Sequence, residues 1–332
     1  MARRVAVMLN RRAQGATPAR LRWFRDHVPG GDLFVPDSVA DTRAALSTIV
    51  ARDYDVLCAG GGDGTFMLAA ATLVALAPSR MPALLPLRLG TGNAVHDLCG
   101  ASPPTPRGLT HDLARAADPT EAPAPLRLLD IDGQLTHFAG VGLDADWAAD
   151  YAWLVKRHLG AGRLLPVVRG APGYALTALA LTLPRLLRRP FVRIRIVAVG
   201  AAARLDANGQ PTQPFADGDM LFDGLATMAS ASTVPSYSAG LPYFRHVDRI
   251  GDAFELKIAF ASPYDVLRHA RRVLAGEPDP ARIHDFSAHA VRIELATPAR
   301  YHVGGDVLPA AHAFTIRASG HAVPILRGMQ RG

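Results

Sequence analysis

Cysteine and lysine are scarce in this sequence of 332 residues. Its two cysteines, Cys58 and Cys99, lie in an apolar run and at the end of a predicted helix. This excludes a disulfide framework and predicts a protein of the reducing cytoplasm. The only lysines are Lys156 and Lys257, so the net charge of +7 is carried almost entirely by arginine. An arginine- and alanine-rich composition also follows from genomic base composition, so this charge alone is weak evidence about partners.

Long apolar runs are missing too. The N-terminal run Val5–Leu9 is too short for the core of a signal peptide. Two prolines and an arginine interrupt Ala171–Leu187, which is shorter than the roughly 20 residues that span a bilayer. The finger spacings, aromatic–basic repeats and basic heptads of nucleic-acid-binding modules are also absent. We therefore expect neither a transmembrane helix nor a nucleic-acid partner.

Strand and helix patterns alternate over residues 1–125. Short apolar runs typical of buried parallel strands occur at Val5–Leu9, Asp32–Val35, Tyr54–Ala59 and Ala83–Leu87. Helical spacing separates them at Pro18–His27, Asp41–Ala51 and Thr65–Leu76. This alternation predicts a doubly wound α/β domain with a parallel sheet.

Prolines between residues 101 and 125 mark a change of pattern. Strand-like segments separated by Gly, Pro and Asp turns then dominate, and they predict an antiparallel β-sandwich over residues 126–305. A long helical, basic and apolar insertion interrupts this sandwich at residues 148–189. We expect the tail, residues 306–332, to return to the first domain.

A glycine-rich loop follows the third predicted strand. Gly60, Gly61, Gly62 and Gly64 allow backbone N–H groups to approach phosphate oxygens, and a helix begins beside Thr65. Asp63 stands among them, although a carboxylate repels phosphate unless a metal ion lies between them or a proton must be removed. Both situations belong to phosphoryl transfer, which makes Asp63 a candidate base and metal ligand. The alternative is an ordinary strand-to-helix turn with Asp63 as a helix cap.

A second glycine turn ends the fourth predicted strand. Gly90 and Gly92 permit a close backbone approach, while Thr91 and Asn93 offer side-chain hydrogen bonds. The turn follows the first loop in a matching strand–turn–helix unit. Alone the second turn is a weak signal, but its match to the first strand–turn–helix unit makes it a candidate part of the same phosphate-binding site.

Together these turns resemble a known family. The first is similar to the GGDGT motif of diacylglycerol, sphingosine, ceramide and NAD kinases, and the second to the P-x-G-T-x-N stretch of the lipid kinases. NAD kinases usually carry a different second motif, with Asn-Glu. Asn10 matches the asparagine that opens the family's N-P-x-x-G pattern near the nucleotide. Arg11 or Arg12 either meets phosphate there or is simply solvated. The resemblance implies a kinase that uses ATP and Mg²⁺ to phosphorylate a hydroxyl of a diacylglycerol- or sphingoid-type lipid.

Two further stretches extend the resemblance. Phe138–Asp146 is similar to the family's G-x-G-F-D-A element, which places Asp144 and Asp146 as substrate residues, although Asp146 is equally interpreted as a solvated loop carboxylate. His302–Asp306 aligns with I-D-G-E, but Gly304 replaces the Asp proposed as general base in bacterial members, and Asp306 replaces the Glu. The catalytic candidates are therefore Asp63, which leads, and Asp306.

Other expectations concern partners. The basic, apolar segment Ala171–Arg189 is interpreted either as a surface that lies on the inner face of the membrane or as a buried domain helix with a basic end. A homodimer is compatible with the sequence. Two rival functions stay open, namely a kinase of a soluble hydroxyl compound and a nucleotide- or lipid-binding pseudokinase.

Overall fold

The computed structural model describes residues 2–90, 92–154, 171–188, 191–236, 242–262, 268 and 282–328. The chain divides into two compact units. The first comprises Met1–Arg127 with Gly320–Gly332, and the second comprises Leu128–Ser319.

The first unit is built on four parallel strands in the order β4-β3-β1-β2. These are β1 (Val5–Leu9), β2 (Leu33–Phe34), β3 (Val56–Gly61) and β4 (Ala83–Arg88). Their connections contain the helices α1 (Pro18–His27), α2 (Val39–Ala51) and α3 (Asp63–Leu76), and α4 (Ala94–Leu98) and α5 (Pro106–Ala117) follow β4. Near the C-terminus, Ile325 pairs in parallel with Leu84. The predicted α/β architecture is confirmed.

Side-chain caps explain where the helices of this unit begin. The side chains of Thr17, Ser38 and Thr105 each accept a backbone N–H of the first turn of α1, α2 and α5. Such caps satisfy an N–H group that has no partner within the helix. Proline at the first position of α1 and α5 lacks the N–H that would need a partner there. Helix α3 differs, because its N-cap is Gly62 and no side chain caps it.

The second unit is a mainly antiparallel β structure. One set of strands runs in the order β7 (Phe138–Gly142), β12 (Met228–Ser232), β13 (Phe254–Ala259), β14 (Ile283–Ala288), β9 (Ala202–Leu205) and β10 (Pro211–Phe215). A second set comprises β8 (Val192–Ala198) and β11 (Met220–Ala226). The hairpin β5 (Ala124–Ile131) and β6 (Gln134–Thr136) begins at the end of the first unit.

The long strand β15 (Ala290–Val303) connects the two sets. Its first half pairs with β8 and its second half with β7, while β16 (Asp306–Ile325) pairs along both halves. Side chains from both sets, such as Ile196 and Leu256, share one apolar core. The prediction of an antiparallel β domain is confirmed.

The described part of the insertion is helical. It comprises α6 (Leu143–Tyr151), α7 (Ala171–Thr177), a π-helical turn (Ala178–Thr182) and α8 (Leu183–Arg188). Residues 155–170 and 189 of the predicted insertion lie outside the described residues. Within the described ranges, no helix is long and apolar enough to cross a membrane.

Candidate functional site

The two predicted glycine turns meet at the ends of β3 and β4. The backbone N–H of Asp63 donates to the carbonyl of Gly92 at 3.0 Å, and that of Leu89 donates to Gly61 at 3.1 Å. A Cβ atom on Gly90 would collide with the Cα atom of Gly62. Because parallel strands end at the same sheet edge, the two turns form one surface rather than two separate ones.

The carboxylate of Asp63 is bound to the second turn. Its Oδ2 accepts the backbone N–H of Ala94 at 2.8 Å, and its Oδ1 accepts that of Val95 at 3.2 Å. Asp63 is itself the first residue of α3, yet its side chain caps the following helix, α4. The side chain keeps 14% of its surface exposed. The carboxylate is therefore fixed in direction while part of it reaches solvent.

A histidine that the sequence analysis did not single out completes this arrangement. The His96 side chain is 0% exposed, with Nδ1 3.3 Å from Oδ1 of Asp63 and Nε2 3.1 Å from the carbonyl oxygen of Gly61. Carbonyl and carboxylate oxygens only accept hydrogen bonds, so each of these two contacts is a hydrogen bond when the ring nitrogen that makes it carries a proton. His96 thus touches both the backbone and the carboxylate of the first turn.

Two asparagines line the same turns. The Nδ2 of Asn10 donates to Oγ1 of Thr65 at 2.9 Å, which ties the end of β1 to the first turn of α3. The Nδ2 of Asn93 donates to Gly90 at 3.3 Å, while its Oδ1 is buried and has no hydrogen-bond partner among the described residues. Thr91, the remaining predicted residue of this turn, lies outside the described residues.

These residues fit a phosphate-bearing cofactor and Mg²⁺. A Cβ atom on Gly64 would meet nothing within 4 Å, so the first turn of α3 is open above its glycine. Among the described residues of the two turns, the candidate ligands for a cation are oxygen atoms, namely the carboxylate of Asp63 and the Oδ1 of Asn93, which has no hydrogen-bond partner there. Mg²⁺ takes oxygen ligands and commonly retains several waters, so one or two protein oxygens suffice.

Comparisons with known proteins agree with this geometry. Residues 4–122 match the family model described as the diacylglycerol kinase catalytic domain. No curated protein matches the sequence.

Solved structures extend the likeness of fold beyond residues 4–122. A Bacillus anthracis str. Sterne protein assigned as a diacylglycerol kinase has a TM-score of 0.67 and 16% identity, over 99% of this chain and 96% of its own. A second structure, of a diacylglycerol kinase from the same organism, has a TM-score of 0.61 and 13% identity, over 99% and 98%. The identities are low, so these structures speak for the fold alone.

Outside residues 4–122, Asp144 is buried in a separate hydrogen-bond network. Its Oδ2 accepts hydrogen bonds from Oγ of Ser230 and, at 3.1 Å, from Nε2 of His302. A Cβ atom on Gly140 would collide with the same oxygen. These contacts give Asp144 a structural task, and its contact with a substrate stays a prediction.

Asp146 lies on the more exposed side of α6. Arg185 reaches it at 3.9 Å and binds Oδ1 of Asp150 at 2.7 Å. Burial raises the pKa of Asp146, and the neighbouring Arg185 opposes that rise. A small cavity of about 20 Å³ lies beside Asp146, Arg185 and Gly142. Its role toward a substrate likewise stays a prediction.

The hairpin that replaces the family's I-D-G-E stretch is built around glycine. Gly304 and Gly305 have φ values of +60° and +89°, and Val303 pairs with Asp306 across them. Two positive φ angles are typical of the tight type I′ turn. A Cβ atom on Gly304 would lie 2.8 Å from Oγ1 of Thr136. Asp306 is exposed at the start of β16 and belongs to the second unit, so its catalytic part stays a prediction.

A buried charge cluster in the second unit escaped the sequence analysis. Lys257 is 2% exposed, and its Nζ lies 2.9 Å from Glu255 and 2.7 Å from Asp285. Oxygen atoms of these acids and a ring nitrogen of His246 are close enough together to bind a metal ion. The ammonium group of Lys257 already lies against both carboxylates, however, and supplies the positive charge. We therefore assign this cluster to the stability of the sheet.

Proposed function

We propose that this protein is an ATP-dependent kinase that phosphorylates a hydroxyl group of a diacylglycerol- or sphingoid-type lipid. The observation that carries the proposal is the contact between the two glycine turns, with the Asp63 carboxylate fixed between them. Both turns lie within the segment that matches the diacylglycerol kinase catalytic domain. The proposed cofactors are ATP and Mg²⁺.

Each element of the first domain has a proposed task. The backbone of Gly60–Gly64 cradles the phosphates at the N-terminus of α3, where the helix dipole favours negative charge. Asn10 and Asn93 orient the edges of the two turns. Bound Mg²⁺ would neutralise the phosphate charge, and the Asp63 carboxylate would contribute to holding it. Asp63 also receives the proton of the substrate hydroxyl, directly or through a water molecule.

The second unit supports a lipid as the acceptor. A groove of about 470 Å³ lies on the helical insertion, within the usual size range of ligand pockets. It is lined by Ala180, Leu181, Pro184, Arg185 and Arg188. Nearby, Leu179 and Leu187 are 69% and 65% exposed. Exposed leucines beside arginines favour the surface of an anionic membrane, so we propose peripheral contact at its inner face.

A phosphate-transfer assay tests this function. The protein is mixed with γ-labelled ATP, Mg²⁺ and a total lipid extract in mixed micelles, and the organic phase is separated. Label in a lipid band is the expected result. Asp63→Asn should lower it by about 10²–10⁴-fold, the usual contribution of acid–base catalysis. A folded Asp63→Asn protein with full activity would refute the assignment of the base.

The glycine at position 304 favours a second candidate, a pseudokinase that binds nucleotide or lipid without turnover. Thr136 lies where a side chain at position 304 would have to fit. This candidate predicts ATP binding by calorimetry together with no labelled product. Label in a water-soluble product instead would indicate a kinase of a soluble hydroxyl compound.

A further inference from the structure

His96 is placed to control the direction of the Asp63 carboxylate. It lies on α4, two residues beyond the N–H of Ala94 that binds Oδ2 of Asp63. Its ring is fully buried, so neither nitrogen exchanges its protein partner for bulk water. Buried polar groups of this kind hold their neighbours in one geometry, because an unmade hydrogen bond is costly there.

The two ring nitrogens have different partners. Nε2 lies 3.1 Å from the carbonyl oxygen of Gly61 in the first turn, and Nδ1 lies 3.3 Å from Oδ1 of Asp63. The backbone bonds from Ala94 and Val95 hold the carboxylate from the side of α4 alone. His96 lies against both Asp63 and Gly61, so it connects the carboxylate to the backbone of the first turn. The orientation of the solvent-exposed part of the Asp63 side chain is then fixed relative to the Gly60–Gly64 backbone, which we propose binds phosphate.

We propose that His96 is a positioning residue for phosphoryl transfer, which orients Asp63 toward the reacting hydroxyl group. The inference rests on the proposed function, because it assigns His96 a role through Asp63. Because the His96 side chain is 0% exposed, we expect it to contact neither ATP nor the acceptor. Its removal therefore lowers kcat and leaves the KM for ATP nearly unchanged.

Two isosteric variants separate the two contacts. The amide nitrogen of asparagine is a δ atom and takes the place of Nδ1, so His96→Asn keeps a donor toward Asp63 and loses the contact with Gly61. The amide nitrogen of glutamine is an ε atom, so His96→Gln keeps the contact with Gly61 and loses the one with Asp63. A misplaced catalytic group costs up to about 10²-fold in rate. We expect His96→Gln and His96→Ala to lower kcat by about 10- to 100-fold, and His96→Asn to retain most of it.

A matched control separates positioning from a general loss of stability. Val74 is buried at the far end of α3, away from both turns, and Val74→Ala removes packing without touching Asp63. It should keep kcat within about twofold of the parent, since buried methyl groups affect stability rather than a distant site. A double-mutant cycle completes this test. In the Asp63→Asn background, His96→Gln should cause no further loss of rate, whereas a merely structural role would lower it again.

A second readout does not depend on activity. The amide protons of Ala94 and Val95 report the charged hydrogen bonds to Asp63, and Asp63→Asn provides the reference shift. In the full-length protein, His96→Gln should move both resonances toward this reference, and His96→Asn should leave them in place. Resonances that stay fixed in His96→Gln, or equal kcat values for the two isosteres, would overturn the positioning role. A parent protein that transfers no phosphate, with the resonances moving as expected, would refute the proposed function and leave the orientation of Asp63 by His96 standing.

Discussion

Gly90 and Gly62 lie so close that a methyl group on Gly90 would overlap the Cα atom of Gly62. The two residues belong to turns that follow different strands, β4 and β3. Their contact brings the carbonyl of Gly92 onto the backbone of Asp63 and α4 onto its carboxylate. Glycine at position 90 therefore does more than permit a turn, because it sets the distance between the two turns of the proposed nucleotide site.

Gly90→Ala should destabilise the protein and abolish ATP binding together. The added methyl group has no room, and overpacking of this kind typically costs about 1–3 kcal/mol. The free energy of unfolding from urea denaturation and the Kd for ATP from calorimetry measure the two effects. Normal ATP affinity in a Gly90→Ala protein would show that the turns act independently.

Gly64→Ala is the matched control for this change. Its Cβ atom would meet nothing within 4 Å in the protein, and alanine favours a helix over glycine by about 1 kcal/mol. We expect unchanged or slightly raised stability. If phosphates approach the first turn of α3, however, the methyl group will weaken ATP binding. A loss of affinity without a loss of stability would localise the phosphates at Gly64.

The architecture of the first unit could be predicted because local patterns determine it. The apolar run that becomes β3 and the glycines after it indicated a strand, a turn and a helix, and the structure places them so. The sequence could not show that Asp63 caps α4 instead of its own helix. That contact depends on the distance between two turns, which the tertiary packing of β3 against β4 sets.

The buried polar groups were missed for a related reason. Alternation of Phe254, Glu255, Leu256 and Lys257 predicts a strand with one solvated face. In the structure both faces of β13 are buried. The charge of Lys257 is accommodated there because Glu255 on the same strand and Asp285 on β14 pair with it. His96 was similarly inconspicuous, because a single histidine in a short helix has no periodic pattern to mark it. Its only signal was its position, six residues after Gly90 in a turn already predicted to bind nucleotide.

Lys257→Met should destabilise the second unit by about 3–5 kcal/mol, because it leaves two carboxylates buried without their cation. Urea denaturation measures the loss. Arg193→Met is the control, since it breaks an exposed ion pair with Asp223 and should cost at most about 1 kcal/mol. Equal losses in the two variants would contradict the assigned role of the cluster.

The effect of Lys257→Met should also depend on pH. Burial raises the pKa of Glu255, and Lys257 opposes this rise. Without the lysine the folded-state pKa rises further above its unfolded value, so protonation of Glu255 favours the folded state. Stability is then lost as pH rises through that raised pKa, and the destabilisation should be smaller at pH 5 than at pH 8. A pH-independent difference would contradict a raised pKa of Glu255 as the source of the loss.

His289 and Asp252 offer a milder pH test. The hydrogen bond from Nε2 of His289 to Asp252, at 3.0 Å, raises the pKa of the histidine above its ordinary value. A raised folded-state pKa gives stability that is complete below the unfolded value near 6.5 and is lost as pH rises through the folded one. The pair is exposed, so we expect less than about 1 kcal/mol. Asp252→Asn should return the NMR titration of His289 toward its ordinary pKa and should lower stability at pH 5.5, with little effect well above the folded-state pKa; an unchanged titration would contradict the role of this hydrogen bond.

Leu179→Ser combined with Leu187→Ser tests the proposed membrane surface. Both side chains are largely exposed, so the double variant should fold with unchanged stability. Each lost methylene group forfeits up to about 0.8 kcal/mol of membrane burial, so binding to vesicles with phosphatidylserine should weaken by at least about 10-fold in sedimentation assays. Met220→Ser with Leu225→Ser is the control, because these side chains are also exposed but lie on β11 rather than on the helical insertion. Equal weakening by both pairs would show that exposed apolar area in general causes the binding. Unchanged binding of the Leu179→Ser, Leu187→Ser variant would show that the helical insertion does not contact the membrane.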